Sequence, residues 1–245
     1  MNDSLNNMPP LVVISQGGKG GGGKTTIMNG LADYYQSLQV PVSYLDGDIE
    51  NQRGAGFASY HHGTPKIDIR SKAGLDEIVN AAMSGQARVV MLDLGGGSGR
   101  DVTQWFDEMY EVVGACGVRF TLLGSVLESS SSVESLITWG KALRDRVRYV
   151  VVLNHRDGSE FGFWNTSEPA QRFRDLAKPT VIEYPRCVYQ KLLENSTLTL
   201  GSYLAERDFA KFSGELGQWK ARLRAQAEHS AIMAQFEKAR DYLLP

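Results

Sequence analysis

The feature that most constrains this chain is the run Gly18-Lys19-Gly20-Gly21-Gly22-Gly23-Lys24-Thr25. Before it, residues 11–15 form a short apolar, β-branched stretch that reads as a buried strand. After it, residues 25–38 place Ile27, Leu31 and Tyr34 on one helical face. A strand, a glycine-rich turn and a helix in that order fit G-x-x-x-x-G-K-[ST], a loop that binds phosphate. The chemistry requires this composition. Glycines let backbone N–H groups converge on phosphate oxygens that side chains would otherwise obstruct. The following helix aims the positive end of its dipole at the same anion. Lys24 is placed to neutralise β/γ-phosphate charge, and the Thr25 hydroxyl to ligate Mg²⁺.

The rest of the chain repeats the alternation. Residues 41–46, 87–93, 118–126, 147–154 and 179–184 read as strands, and 131–146 as a helix. Strands alternating with helices imply right-handed crossovers and a mainly parallel, twisted sheet covered by helices on both faces. A helical C-terminal tail is expected over about 206–245, in one domain spanning 1–245 with its core over about 11–200. With 245 residues, 42% of them hydrophobic, the chain can bury one sizeable core. A net charge of −2 gives no global case for nucleic acid or an anionic membrane, so any such contact needs a local patch. Cys116 and Cys187 lie in no CxxC and read as reduced thiols. The polar start lacks a signal-peptide core, and no apolar run approaches a membrane span, so a cytoplasmic protein is expected.

Carboxylates stand at the ends of two of these strands. Asp46 and Asp48 end one at a spacing that keeps both on the same face. That geometry suits one residue near Mg²⁺ and one near an attacking water. The apolar strand Val89-Val90-Met91-Leu92 ends in Asp93, followed by Leu94-Gly95-Gly96-Gly97-Ser98-Gly99. Glycine-rich backbone there can move with the presence of a γ-phosphate. A further strand ends in Asn154, whose amide pairs well with adenine.

The stretch from Lys19 to Thr26 resembles the deviant Walker A, K-G-G-x-G-K-T-T, of the ParA/MinD family in the SIMIBI class of P-loop ATPases. The nitrogenase iron protein and the arsenite-pump ATPase share that motif. The resemblance implies a P-loop NTPase fold and an ATP-dependent homodimer with nucleotides sandwiched between subunits. Gly20, Gly21, Gly22, Gly23, Lys24, Thr25 and Thr26 would cradle the nucleotide, and Lys19 would reach the partner's phosphates. Asp46 to Gln52 is similar to the switch I pattern D-x-D-P-Q, with Ile49 and Glu50 in place of Pro and Gln. Asp48 matches the water-orienting aspartate, so Lys19, Lys24 and Asp48 are the expected catalytic residues. Thr25, Asp46, Asp48 and Asp93 are the expected Mg²⁺ group, the carboxylates acting through water. Asp93 matches Walker B and the glycines after it switch II, without the prolines (D-x-P-P) frequent there. Asn154, with backbone at Pro185 and Arg186, would contact adenine. Asn154-x-x-Asp157 also resembles the guanine-reading N-K-x-D, but His155 replaces its Lys, which favours ATP over GTP. The resemblance spans about residues 11–200 and fades toward the C-terminus.

Weaker signals remain. Phe161-Gly162-Phe163-Trp164 could meet a partner or pack over the core, and His61-His62 reads as an exposed loop. Lys220, Arg222 and Arg224 put basic charge on one helical face. Ile232, Met233, Phe236, Leu243 and Leu244 read as intramolecular packing in preference to a membrane contact, since basic flanks are sparse. The leading functional expectation is a Mg-dependent ATPase switch positioning plasmid DNA or another cargo through an adaptor, of the short plasmid partition, stability or transfer type. Non-specific DNA binding by the dimer is compatible with it. Alternatives are a metabolic or metallocluster enzyme on the same scaffold, or a nucleotide-binding module with little turnover. No cysteine closely follows Asp93, which argues against a cluster carrier.

Overall fold

The computed structural model describes residues 9–16, 21–49 and 56–245. The expectations for Lys19 and Gly20 therefore lie outside the described residues. The strands are β1 (Leu11–Ser15), β2 (Val42–Asp46), β3 (Val89–Asp93), β4 (Arg119–Val126), β5 (Arg148–Asn154) and β6 (Thr180–Tyr184). They form one six-stranded sheet in the order β2-β3-β1-β4-β5-β6, with every pairing parallel. Every residue of β1 and β3 is buried, which is why both read as unbroken apolar runs without alternation. Each boundary falls within two residues of the expected one.

The helices are α1 (Lys24–Ser37), α2 (Phe57–Tyr60), α3 (Lys72–Met83), α4 (Gly99–Ala115), α5 (Ser130–Leu143), α6 (Gly162–Thr166), α7 (Glu168–Ala177), α8 (Gln190–Asn195), α9 (Leu200–Ala205), α10 (Trp219–Lys238) and α11 (Arg240–Leu243). The period of the strands sorts the core into two layers. Val12, Ile14, Val90, Leu92, Leu122 and Val151 face one layer, packed by α3, α4, α5 and α7. Leu11, Val13, Val89, Met91, Val150 and Val152 face the other, packed by α1, α10 and α11. From β1 the chain passes β3 to reach β2, returns to β3, then crosses to β4 on the other side of β1. Strand order thus reverses around β1, and the crevice at its carboxyl end is where open α/β sheets bind ligands.

The C-terminal region is helical only in part. Residues 206–218 wind through two short 3₁₀ turns, Phe209–Lys211 and Gly214–Gly217, before α10 begins. Ile232, Phe236 and Leu243 are buried in the second layer, with Met233 and Leu244 against it, as intramolecular packing requires. Hydrogen bonds pin this region to α1 and the sheet: Tyr34 to Glu237, Tyr35 to the Leu243 carbonyl, and Thr121 to the Tyr242 carbonyl. Among the described residues no helix is long and apolar enough to cross a membrane.

Two local expectations resolve differently. His61 is not a loop residue in water: its ring stacks on Tyr44 at 4.5 Å and its Nε2 meets Asn29 Oδ1 at 3.0 Å. Burial pushes its pKa down to about 4. Arg222 turns inward, donating to the Leu204 and Glu206 carbonyls over the Phe209 ring, while Lys220 and Arg224 stay exposed. Phe161 and Trp164 are buried in the first layer, so that aromatic run is core.

Candidate nucleotide site

The carboxyl ends of β1 and β3 meet the start of α1 in a tight hydroxyl–carboxylate group. Ser15 Oγ donates to Asp93 Oδ1 at 2.8 Å, and Thr25 Oγ1 donates to Asp93 Oδ2 at 2.6 Å. Ser15 Oγ also accepts from the Leu94 N–H at 2.8 Å, fixing the turn that leaves β3. Asp93 is 1% exposed, and burial pushes its pKa up to about 6 against the two hydroxyl bonds that hold it down. Because the Thr25 proton points at Asp93, the oxygen's lone pairs are left for a cation. A hydroxyl held by a buried carboxylate in this way fits a Mg²⁺ site in which Thr25 would supply one oxygen, Asp93 would act through it and through water, and phosphate and water would supply the rest.

Asp46 lies directly across the register from Asp93 and is fully buried. Its Oδ1 accepts the Asp48 N–H and its Oδ2 the Ala58 N–H, each at 2.9 Å. Asp46 thus ties the end of β2 to the start of α2. Asp48 packs on the backbone of Gly95, where a Cβ would come within 2.7 Å of its Oδ1. Any larger residue at Gly95 would displace the Asp48 carboxylate, so the two expected switch segments are in contact. Burial lowers the Lys24 pKa, with Asp93 and then Asp48 acting against that fall. The ammonium and both carboxylates therefore share one electrostatic neighbourhood.

The loop itself is shaped from beneath. Gly23, at the N-terminus of α1, has φ 72°, and a Cβ there would lie 2.5 Å from Asn154 Nδ2. Both the left-handed backbone and the close approach need glycine. The Gly22 carbonyl accepts from Ser125 Oγ at 2.8 Å, with Asn154 Nδ2 at 3.5 Å. In a planar trans peptide, anchoring that carbonyl sends the Gly23 N–H the opposite way. Ser125 and Ser15 were not singled out in the sequence, because a serine at a strand end carries no motif.

On the other side of Gly23 lies a cavity of about 490 Å³ lined by Thr26, Asn154, Tyr184, Pro185, Arg186 and Glu194, among others. The expected base-contacting residues are thus together. Asn154 is 3% exposed, and its Oδ1 accepts the Arg156 N–H at 3.1 Å. Thr26 Oγ1 donates to Glu194 Oε1 at 3.0 Å, so a carboxylate from α8 stands between the loop and the base side. The segment Leu193-Glu194-Asn195-Ser196 fits the family's pattern after the base-contacting loop only loosely, and sequence reading gave Glu194 no role in the site. A smaller cavity of about 220 Å³ adjoins the loop on the β4 side, lined by Gln16, Lys24 and a row of serines.

No family model matches the sequence, and no curated protein does. Solved structures do resemble it. The MinD cell division protein of Aquifex aeolicus is 17% identical, with a TM-score of 0.52 over 96% of this chain and 98% of that one. The MinC:MinD cell division protein complex of the same organism contains a chain 16% identical with a TM-score of 0.52 and the same coverage. The signal recognition particle receptor FtsY of Elizabethkingia anophelis is 19% identical, with a TM-score of 0.49 over 73% of this chain and 59% of that one. At these identities the likeness is one of architecture, and the architecture of this chain is the six-stranded parallel α/β fold of the P-loop NTPases.

Proposed function

We propose that this protein is a Mg-dependent ATPase that closes into an ATP-sandwich dimer and serves as a nucleotide switch positioning plasmid DNA or another cargo. The observation that carries this reading is the group formed by Ser15, Thr25 and Asp93 beside Lys24 at the start of α1. When bound, Mg²⁺ would neutralise developing charge on the transferred phosphoryl group. Thr25 and Asp93 would hold it, and Lys24 would meet the β- and γ-phosphates. Asp48, resting on Gly95, would orient water for in-line attack. Asp46, with both oxygens on backbone N–H groups, would act by holding Asp48 in place. Lys19 would complete the neighbouring subunit's site.

Adenine is favoured as the base. Asp157, which would read guanine in an N-K-x-D arrangement, has both carboxylate oxygens engaged by Arg156 at 2.8 Å. Asn154 keeps amide capacity toward the larger cavity. For DNA, two exposed cations per chain, Lys220 and Arg224, remain on the basic face, so phosphate contacts would accumulate only in a dimer. An adaptor would set the cargo.

The test is isothermal calorimetry with ATP and GTP, with and without Mg²⁺, followed by turnover with and without DNA and by light scattering. The expected result is Mg-dependent ATP binding, an ATP-induced doubling of mass, and turnover raised by DNA. No binding of either nucleotide would overturn the reading, and equal affinity for both would remove the role given to Asn154.

A further inference from the structure

One charged side chain at the loop enters the scheme above only as the partner of Asp157. Arg156 follows β5 by two residues, and its Nη1 donates to the carbonyl of Gly21 in the phosphate loop. Its Nε and Nη2 donate to Oδ1 and Oδ2 of Asp157, each at 2.8 Å. This two-pronged contact fixes the plane of the guanidinium. Arg156 holds the Asp157 carboxyl below the usual carboxylate range, and Asp157 raises the guanidinium in return.

The consequence for the loop follows from peptide geometry. A planar trans peptide points its carbonyl and the next N–H in opposite directions. Holding the Gly21 carbonyl therefore orients the Gly22 N–H, as Ser125 orients that of Gly23 through the Gly22 carbonyl. Successive N–H groups aimed together make an anion-binding nest. Gly21 has φ 81°, and among the described residues no atom lies within 4 Å of where its Cβ would stand, so none of them packs against that peptide on its side-chain flank. Arg156 also lines both the 220 Å³ and the 490 Å³ cavities. A nucleotide with its base in the larger cavity and its terminal phosphates against Lys24 crosses the boundary where Arg156 stands.

We propose that Arg156, oriented by Asp157, is a positioning residue for the polyphosphate. It sets the Gly21–Gly22 peptide in its anion-receiving orientation and adds a fixed positive charge where the phosphates cross between the cavities. This inference rests on the nucleotide reading above.

The experiment measures binding of adenosine, ADP and ATP by calorimetry to the full chain and to Arg156→Ala, Arg156→Lys and Asp157→Asn, with melting temperatures alongside. Arg156→Ala is expected to weaken ATP and ADP about tenfold, the loss of one charge-assisted contact, with adenosine unchanged. Arg156→Lys keeps the charge and should recover part of the loss. Asp157→Asn frees the guanidinium plane and should cost about threefold, again on the phosphorylated ligands alone. The side chain of Arg156 is 45% exposed, so removing it is not expected to unfold the protein. Unchanged ATP affinity in Arg156→Ala overturns the inference, and so does an equal loss for adenosine, which would make Arg156 a wall of the base cavity. If the unaltered protein binds no nucleotide, the underlying reading fails and this one with it. If it binds ATP and only the variants disappoint, the underlying reading stands.

Discussion

The two flanks of the phosphate loop are built on different plans. On the metal flank, Ser15, Asp46 and Asp93 end β1, β2 and β3 and Thr25 begins α1, and every carboxylate oxygen of the two aspartates has a partner. Both carboxylates are essentially excluded from water. On the base flank, Asn154, Pro185, Arg186 and Glu194 come from β5, the end of β6 and α8, around a cavity of about 490 Å³. The metal flank is preorganised, with little left to reorder when charge arrives. The base flank keeps room, and its polar groups hold one another until a ligand takes their place. Under the proposed function, phosphoryl transfer would depend on fixed electrostatics and base binding on shape, and the two plans suit those two tasks.

If the flanks differ in this way, variants should separate turnover from affinity. The largest effect is expected at Asp48. Asp48→Ala should bind ATP about as well as the parent but hydrolyse it at least about a hundredfold more slowly, since positioned acid–base groups contribute on that scale. A coupled phosphate-release assay beside calorimetry checks both halves. Parent-like turnover would move the water-orienting role elsewhere on the metal flank.

Next in size is Lys24→Ala. Removing the ammonium takes away the main cation facing the phosphates and leaves Asp93 and Asp48 without its field. ATP affinity should fall about a hundredfold, roughly 2.7 kcal/mol, with adenosine little affected. A smaller loss, shared equally by adenosine, would mean the metal flank does not carry the phosphate contact.

The same contrast explains what could be read from the chain alone. On the metal flank, Asp46 and Asp93 end strands and Thr25 follows the glycine run, so local pattern marked all three as candidates, and the fold brings Thr25 and Asp93 into contact. The flank's remaining member, Ser15, is the last residue of an ordinary strand and gains meaning only when β1 and β3 pair. The parallel sheet was legible because strands buried on both faces leave continuous apolar runs. The base flank joins residues from β5 and α8, some 40 positions apart in sequence, and no local pattern marks Glu194 as a neighbour of Thr26. Arg222 failed for a related reason: spacing put it on a basic face, but the carbonyls at Leu204 and Glu206 drew it inward.

A smaller effect is expected at Asn154, where the two flanks touch. Its amide reaches the Gly22 carbonyl at 3.5 Å and the Arg156 N–H at 3.1 Å. Asn154→Ala should cost about tenfold in ATP affinity, roughly 1.4 kcal/mol, and bring ATP and GTP closer together. Competition between the two nucleotides in one titration measures this. A preserved preference for ATP would shift base recognition to the Pro185–Arg186 backbone.

The smallest effect on the site should come from behind α1, where Asp33 holds the C-terminal layer. Its Oδ1 accepts the Thr199 hydroxyl at 2.8 Å and its Oδ2 the Gly201 N–H at 2.7 Å, and it is 6% exposed. Burial raises its pKa from 3.8 to about 6, the two hydrogen bonds opposing the rise. The folded protein therefore holds a proton that the unfolded chain releases between those values. This contribution to stability is fully present below the unfolded pKa and is lost as pH rises through about 6, amounting to about 3 kcal/mol at about 1.36 kcal/mol per pKa unit. Asp33→Asn cannot titrate, so the stability gap between parent and variant should narrow between about pH 4 and about pH 6 and level off above that. Asp93, raised to about 6 by burial as well, keeps a slope of its own in both proteins and cancels in the comparison. ATP affinity at pH 7.5 should stay within about twofold of the parent, because Asp33 faces α9 and not the loop. Urea unfolding at several pH values, with calorimetry on the same samples, tests both statements. A gap independent of pH would show that Asp33 is ionised throughout. A large loss of ATP affinity would show that the C-terminal layer reaches the site through α1, and the division between the two flanks would then extend through the whole second layer.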